Sequence, residues 1–262
     1  MRGIFAALAV LLGCLVARAQ DAPPPLSPQC EAPAADIAAP APLPHLADLL
    51  ANKSAAVRIL AIGSSSTWGV GASSRKKTYP ALLRNILEGA LKGVKAEIVN
   101  RGVSGEVAQT TAERLRTAVA LDKPDLVLWQ VGTNDALARV EAGDFEDTLR
   151  STISWLKASD IDVVLVGLQY APKFVRDDSY TAIREALKKV AVAENVLYVS
   201  RFDAMKFIAQ NQTGEQLISG DDLHLDDLGY ECMAEHISRA VIANLFVRRR
   251  DLPKPAPPAP QP

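Results

Sequence analysis

The stretch Val57-Arg58-Ile59-Leu60-Ala61-Ile62-Gly63-Ser64-Ser65-Ser66-Thr67 joins a short apolar run to a turn of glycine and serine. A run of branched apolar residues that ends in such a turn predicts a buried parallel strand. Four similar runs follow along the chain, with amphipathic segments between them. We predict strands at 57–62, 97–99, 126–131, 163–168 and 196–199, and helices at 80–91, 110–121, 145–157, 180–193 and 226–247.

This alternation of strands and helices predicts an α/β fold, a three-layer α/β/α sandwich with a mostly parallel five-stranded sheet and right-handed crossovers. In such a sheet the ligand crevice lies beyond the carboxyl ends of the strands. Three further motifs follow predicted strands or precede the last helix, so we expect them to gather with the serine turn at one edge. They are Asn100-Arg101-Gly102-Val103-Ser104-Gly105, Gly132-Thr133-Asn134-Asp135 and Asp221-Asp222-Leu223-His224.

A histidine in the last of these motifs is a candidate general base. Serine becomes a nucleophile when a histidine takes its proton and a carboxylate fixes the imidazole tautomer. The chain has three histidines, of which His45 lies in an Ala/Pro-rich segment and His236 in the predicted last helix. His224 lies in a polar loop, and Asp221, three residues earlier, suits a tight turn back to the imidazole. We therefore predict that His224 is the base and Asp221 its orienting carboxylate.

Three adjacent serines follow the first strand, and composition alone does not choose among them. Spacing after the strand favours the middle one, Ser65, as the nucleophile; a plain loop with a helix cap is the alternative. Acyl transfer also needs donors aimed at the developing oxyanion. The backbone N–H groups of Ser65 and Gly105 and the side-chain amide of Asn134 are the candidates.

Together these motifs resemble those of the SGNH hydrolases, the GDSL esterase and lipase family, over most of residues 57–247. The resemblance implies a flavodoxin-like fold, Ser65 as nucleophile, Gly105 and Asn134 as oxyanion donors, and Asp221 with His224 completing the site. It implies no metal and no organic cofactor. One position departs from the family pattern: Ser64 stands where the family's opening motif has aspartate.

The composition is that of an ordinary soluble globular protein, with 262 residues, 48% hydrophobic, 23% charged and a formal net charge of -1. This balance lacks the surplus of Lys and Arg typical of nucleic-acid binders, so we expect no nucleic-acid partner. We divide the chain into a signal peptide (1–19), an extended Ala/Pro-rich leader (20–52), one hydrolase-type domain (53–248) and a Pro-rich C-terminal tail (249–262).

The N-terminal residues predict export to the periplasm or the exterior, with no stable membrane insertion after cleavage. A basic start, an apolar run over 4–16 and Ala17-Arg18-Ala19 are typical of a secretory signal. The apolar run is shorter than the roughly 20 residues that span a bilayer. A lipid anchor through Cys14 is the alternative. In an exported chain we predict a disulfide between Cys30 and Cys232; two unpaired thiols are the alternative.

The expected function is that of a secreted serine esterase that forms an acyl-Ser65 intermediate. Its substrate would be a small ester or an acylated polysaccharide, with acetyl groups on an envelope carbohydrate favoured. We place Trp68, Tyr79 and Tyr170 in a possible substrate pocket. The same site could serve an acyltransferase, a lysophospholipase or a thioesterase.

Two further alternatives differ in kind from a serine enzyme. A non-enzymatic envelope-binding module would not need the full set of nucleophile, base and oxyanion groups. A metal hydrolase would use Asp221, Asp222, His224 and Asp226 as ligands, but one histidine among carboxylates lacks a recognisable zinc spacing.

Overall fold

The computed structural model describes residues 23–52, 54–211 and 216–245. The predicted signal peptide, Cys14 and the C-terminal tail lie outside these residues. The strands are β1 (Ala38–Ala39), β2 (Ala56–Gly63), β3 (Lys95–Gly102), β4 (Leu126–Gln130), β5 (Asp162–Val166) and β6 (Leu197–Val199). They form one sheet in the order β1-β6-β5-β4-β2-β3.

Helices connect and cover the strands. They are α1 (Ala34–Ile37), α2 (Pro44–Ala51), α3 (Ser65–Trp68), α4 (Tyr79–Ala90), α5 (Ala108–Asp122), α6 (Thr133–Leu137), α7 (Ala142–Ala158), α8 (Asp178–Ala193), α9 (Arg201–Asn211) and α10 (Asp227–Asn244). Strands β2 to β6 pair in parallel, and β1 pairs antiparallel with β6. The three-layer α/β/α fold is therefore confirmed, with six strands in the sheet where five were predicted.

The alternation of side chains along β2 explains the two helical layers. Ile59 and Ala61 face a core that includes residues of α4 and α10, whereas Leu60 and Ile62 face one that includes residues of α5, α7 and α8. Successive residues of a strand point to opposite faces, so a continuous apolar run supplies both cores. Because β2 pairs in parallel with both β3 and β4, the carboxyl ends of these three strands meet at one edge of the sheet.

The Ala/Pro-rich segment departs from prediction, because its described part packs on the domain instead of lying outside it as an extended leader. Ala38 and Ala39 pair with β6, and Ile37, Leu43 and Leu46 are buried. Three large apolar side chains are enough to anchor a segment whose alanines fit closely against a sheet edge. The edge that β6 would otherwise expose is thereby covered.

A disulfide joins this segment to the last helix. Cys30 and Cys232 are bonded across a sequence separation of 202, as predicted, and both are buried. The Nε2 atom of His236 lies 2.7 Å from the Cys30 carbonyl oxygen, and Glu235 accepts from the backbone N–H of Ser27 at 2.8 Å. Among the described residues, no helix is both long and apolar enough to cross a membrane.

Candidate active site

The serine turn lies between β2 and the short helix α3, whose first residue is Ser65. The end of β3 approaches α3 so closely that a Cβ on Gly102 would lie 2.2 Å from the Trp68 backbone nitrogen, so no side chain fits there. Asn100 fastens the two elements, since its Nδ2 donates to the Thr67 carbonyl at 2.7 Å and its Oδ1 accepts from Gly102 N at 2.9 Å. The loop after β3 is thereby held beside Ser65.

Ser65, His224 and Asp221 form a continuous line of hydrogen-bonding atoms. The Nε2 atom of His224 lies 3.0 Å from Ser65 Oγ, and its Nδ1 lies 2.5 Å from Asp221 Oδ2. The other carboxylate oxygen, Asp221 Oδ1, accepts from the backbone N–H groups of Leu223 and His224, each at 2.9 Å. This tight turn brings the carboxylate back onto the imidazole.

The electrostatics of the turn keep Asp221 ionised. The His224 hydrogen bond holds the pKa of Asp221 well below its usual range, and the backbone N–H groups of His224 and Leu223 act in the same direction. An acceptor-only carboxylate at Nδ1 leaves the proton on that nitrogen and the lone pair on Nε2. The imidazole therefore has a basic nitrogen facing the Ser65 hydroxyl.

The two neighbouring serines have different surroundings. Ser64 and Ser66 are buried, and Ser64 Oγ donates to Gln130 Oε1 at 3.0 Å. The same oxygen accepts from the Ser64 backbone N–H at 3.0 Å and from Thr67 Oγ1 at 3.3 Å. Gln130, which sequence patterns did not single out, thus fixes the turn through the residue that replaces the family's aspartate.

A hydrogen bond links two of the three candidate oxyanion donors, because Asn134 contacts the residue that follows Gly105. Asn134 Nδ2 donates to the Glu106 carbonyl at 2.8 Å, which draws this amide to the turn containing Gly105, whose φ is +86°. One amide hydrogen of Asn134 is used in this way, and the second remains for another acceptor. The Ser65 N–H belongs to the first turn of a helix, where N–H groups have no intrahelical partner.

A buried polar bridge behind the site was not predicted. Gln169 Oε1 accepts from Thr133 Oγ1 at 2.7 Å and from Arg201 at 2.7 Å, while its Nε2 donates to the Leu223 carbonyl at 3.1 Å. Arg201 is 2% exposed and also donates to the Gly167 carbonyl at 2.9 Å. Gln169 therefore links the residues beside Asn134 and His224, which are distant in sequence.

The predicted pocket residues do not form one pocket. Tyr79 is 0% exposed and contacts Thr67 Oγ1 through its hydroxyl, so its assignment as a pocket residue is wrong. Burial raises the pKa of Tyr79 to about 12. Trp68 is 46% exposed and lines a cavity of about 250 Å³, whereas half-buried Tyr170 lines another of about 430 Å³. Tyr79 is the first residue of α4 and packs in the core that includes residues of α4 and α10.

The carboxylates near His224 do not converge on one point. Asp226 caps α10 by accepting from the Gly229 N–H at 2.8 Å. Asp222 is exposed, and its own backbone has a φ of +58°. Across the described ranges, no group of three or more His, Cys, Asp or Glu side chains is arranged to hold a metal ion.

Comparisons with known proteins point to ester hydrolases. The chain is 29% identical to the esterase TesA of Pseudomonas aeruginosa over 126 residues, which is 48% of this chain and 61% of that protein, less than two thirds of its length. It is 27% identical to the thioesterase 1/protease 1/lysophospholipase L1 of Escherichia coli K12, over 56% of this chain and 69% of that protein.

Among solved structures, a two-domain esterase active on acetylated mannans shares the fold, with a TM-score of 0.69 and 18% identity. The match covers 87% of this chain and 60% of that one. The model of the Non-GDSL lipase-like family matches residues 29–246, which include both cysteines of the disulfide and all four motifs. The resemblance to the GDSL and SGNH esterases is confirmed, and the chain belongs to the Non-GDSL lipase-like family.

Proposed function

We propose that this protein is a carboxylic ester hydrolase with Ser65 as nucleophile, His224 as general base and Asp221 as the orienting carboxylate. The observation that carries the proposal is the line from Ser65 Oγ through both nitrogens of His224 to Asp221. The relatives named esterase and thioesterase support the same class of reaction.

In the first half of the reaction, Ser65 Oγ attacks the ester carbonyl while its proton passes to His224 Nε2. The tetrahedral oxyanion accepts hydrogen bonds from the Ser65 and Gly105 N–H groups and from the free amide hydrogen of Asn134. His224 then gives the proton to the departing alcohol, which leaves an acyl-Ser65 ester. In the second half, His224 deprotonates a water that attacks the acyl group, and the acid departs as Ser65 is regenerated.

We propose small acyl esters as the substrates, and acetyl groups on an envelope polysaccharide as the natural ones. The two-domain esterase that shares the fold is active on acetylated mannans, which supports this choice. The Escherichia coli relative supports a second candidate, because its name includes thioesterase and lysophospholipase activities. Transfer of the acyl group to a sugar hydroxyl would use the same intermediate with a different second nucleophile.

Export to the periplasm or the exterior is part of the proposal. A disulfide such as Cys30–Cys232 is stable in an oxidising compartment and rare in a reducing cytosol.

The decisive experiment measures hydrolysis of short-chain p-nitrophenyl esters by the wild type, Ser65→Ala and the neighbouring control Ser66→Ala. We expect Ser65→Ala to lose roughly 10³-fold or more in kcat, because the acyl-enzyme path is removed. A serine-directed phosphonate should add once to the wild type and not to Ser65→Ala, as read by intact mass.

Two further measurements distinguish the serine esterase from a metal hydrolase and from an acyltransferase. Activity that survives EDTA would argue against the metal hydrolase, and partition of the acyl group to an added sugar would identify a transferase. Turnover by Ser65→Ala at the wild-type rate would refute the proposed nucleophile. Absence of both turnover and adduct in the wild type would favour a binding module.

A further inference from the structure

The cavity of about 250 Å³ beside α3 has lining residues that the proposed chemistry does not use. Trp68, Arg75, Thr78, Arg84, Ile98 and Asn100 contribute to its wall. Trp68 lies three residues after Ser65, so the cavity begins about one helical turn from the nucleophile. Asn100 ties its wall to the backbone of α3 through the Thr67 carbonyl. A group bound there would belong to the same substrate as an ester at Ser65.

The cavity carries positive charge without a matching carboxylate. Both Arg75 and Arg84 are exposed, and none of the eight lining residues is acidic. Within the described part of the chain, the Arg84 side chain makes no hydrogen bond or ion pair, and Glu88, one turn later, accepts from the Ala96 backbone N–H at 3.1 Å. Arg84 is thus available to a ligand.

Arg75 is held in place while most of its donors stay available. Its guanidinium carbon lies 3.9 Å from the centroid of the Trp68 ring, and its NH1 donates to the Trp68 carbonyl at 3.1 Å. A guanidinium stacked on an aromatic ring loses little further freedom when it binds a carboxylate. Lys76 and Lys77 follow it directly and add to the positive field. The nearby carboxylate of Asp227 is bound by both the N–H and the hydroxyl of Ser73.

The size and lining of the cavity limit what can enter. Its volume is below the roughly 300–1,000 Å³ of complete small-molecule sites, so it suits one group of a larger ligand. Pro80, Ala81 and Ile98 offer a short apolar floor rather than a groove for an acyl chain. A sugar ring that bears a carboxylate matches these features, since its C–H face can lie on the floor and its charge can meet the two arginines.

We propose that Trp68, Arg75 and Arg84 form a subsite for an acidic sugar residue next to the ester, so that the preferred substrate is an acetylated, carboxylate-bearing polysaccharide. This inference rests on the proposed esterase function and narrows its substrate class. The arginines bind and orient the polymer, and they take no part in the covalent steps.

The test compares acetylated polygalacturonate with acetylated xylan of equal acetyl content, and uses p-nitrophenyl acetate for basal activity. Arg75→Gln/Arg84→Gln should raise KM for the acidic polymer at least tenfold, which is about 1.4 kcal/mol, with kcat, xylan turnover and p-nitrophenyl acetate turnover unchanged. The wild-type preference for the acidic polymer should weaken as salt is added.

Arg116→Gln is the matched control, because Arg116 also lies over an aromatic ring, at 4.7 Å from the Trp155 centroid, but beside Glu113. It should leave every parameter unchanged. Equal KM values for the two polymers in the wild type, or an equal rise in both in the double variant, would refute the subsite while the esterase proposal stands.

Direct binding keeps the two proposals separable if no ester is turned over. Calorimetric titration of Ser65→Ala with a short oligogalacturonate should show binding. Adding Arg75→Gln/Arg84→Gln to that variant should abolish it. No binding would refute the subsite. Arginine-dependent binding to phosphatidylglycerol vesicles without oligogalacturonate binding would reassign the surface to lipid and also overturn the proposal.

Discussion

At the scale of single residues, Ser64 explains how the serine turn is held without the aspartate of the GDSL motif. Its hydroxyl and its backbone N–H both donate to Gln130 Oε1, which also accepts from Thr67. An aspartate at 64 would present an acceptor to that oxygen, so the Gln130 amide would have to turn over and Thr67 would lose Gln130 as an acceptor. Ser64 and Gln130 therefore form a matched pair that fixes the turn before Ser65.

The first residue-scale prediction concerns Asp221→Asn. The amide retains an oxygen for the backbone N–H groups of Leu223 and His224, but it no longer favours the tautomer with a basic Nε2. We expect kcat for p-nitrophenyl acetate to fall roughly 10²–10⁴-fold while the Tm stays close to that of the wild type. A loss of less than tenfold would contradict the role of Asp221.

The second residue-scale prediction concerns Gln169→Glu, which separates stability from positioning. A carboxylate there still accepts from Arg201 and Thr133 and supplies a counter-ion to the buried guanidinium, whose pKa burial lowers. It cannot donate to the Leu223 carbonyl beside His224. We expect an unchanged or raised Tm and a fall of about tenfold in kcat, equivalent to about 1.4 kcal/mol.

Gln169→Leu is the comparison for that variant, because it removes both functions of the side chain. It should lower both Tm and kcat. If Gln169→Glu keeps the wild-type kcat, the bridge to Leu223 has no part in positioning His224.

At the scale of elements, α10 and the N-terminal segment depend on a histidine that stays neutral. Burial lowers the pKa of His236 to about 4, below the roughly 6.5 of an exposed imidazole. The unfolded chain then binds a proton that the folded chain does not between pH 6.5 and 4, so stability falls as the pH is lowered through that window. This residue accounts for at most roughly 3 kcal/mol of that loss.

The corresponding prediction is that His236→Gln flattens the pH dependence of stability between 6.5 and 4. Glutamine offers an amide donor to the Cys30 carbonyl and has no proton to gain. Urea midpoints of the two proteins should converge as the pH is lowered, because only the wild type loses the stability that depends on a neutral His236. Buried carboxyl groups such as Asp162 contribute equally to both proteins and do not change the difference. Parallel curves would show that His236 does not control this dependence.

The elements also show which strands and helices can be predicted from patterns of apolar residues and which cannot. Strands β2, β4, β5 and β6 were predicted because each lies in an apolar run that is mostly buried. β3 was also predicted from its apolar residues, but it is an edge strand and most of it is exposed or half-buried, in contrast to the buried strand that was expected. β1 was missed because two alanines have no strand signal of their own, and their conformation comes from pairing with β6. α9 was not predicted either, and it encloses the fully buried Arg201 within its first turn.

At the scale of the whole molecule, the disulfide fastens the two ends of the described chain. We predict that Cys30→Ala/Cys232→Ala lowers the free energy of unfolding by about 3–5 kcal/mol, because the bond closes a long loop in the unfolded chain. Denaturant titration measures this loss. Dithiothreitol should destabilise the wild type and leave the double variant unaffected; an equal effect on both would contradict the prediction.

Some residues of the candidate site could likewise be predicted from sequence, whereas others are recognised only from the folded structure. Ser65, Asn134, Asp221 and His224 follow strands or precede a helix, so their gathering follows from parallel topology. Gln130 and Arg201 were missed because their roles depend on which buried oxygens face them. The error at Tyr79 has the same origin, since adjacency to the serine turn does not indicate which side of the sheet a ring occupies.

The pairing of β1 with β6 also constrains the order in which the molecule can be completed. Ala38 and Val199 are neighbours in the sheet, yet some 160 residues separate them in the chain. During synthesis or translocation from the N-terminus, the first strand to emerge has no partner until the last strand has followed it. Such long-range closure slows folding. The N-terminal segment therefore docks late, after most of the domain has folded. A protease added during refolding should cut this segment before any other described segment.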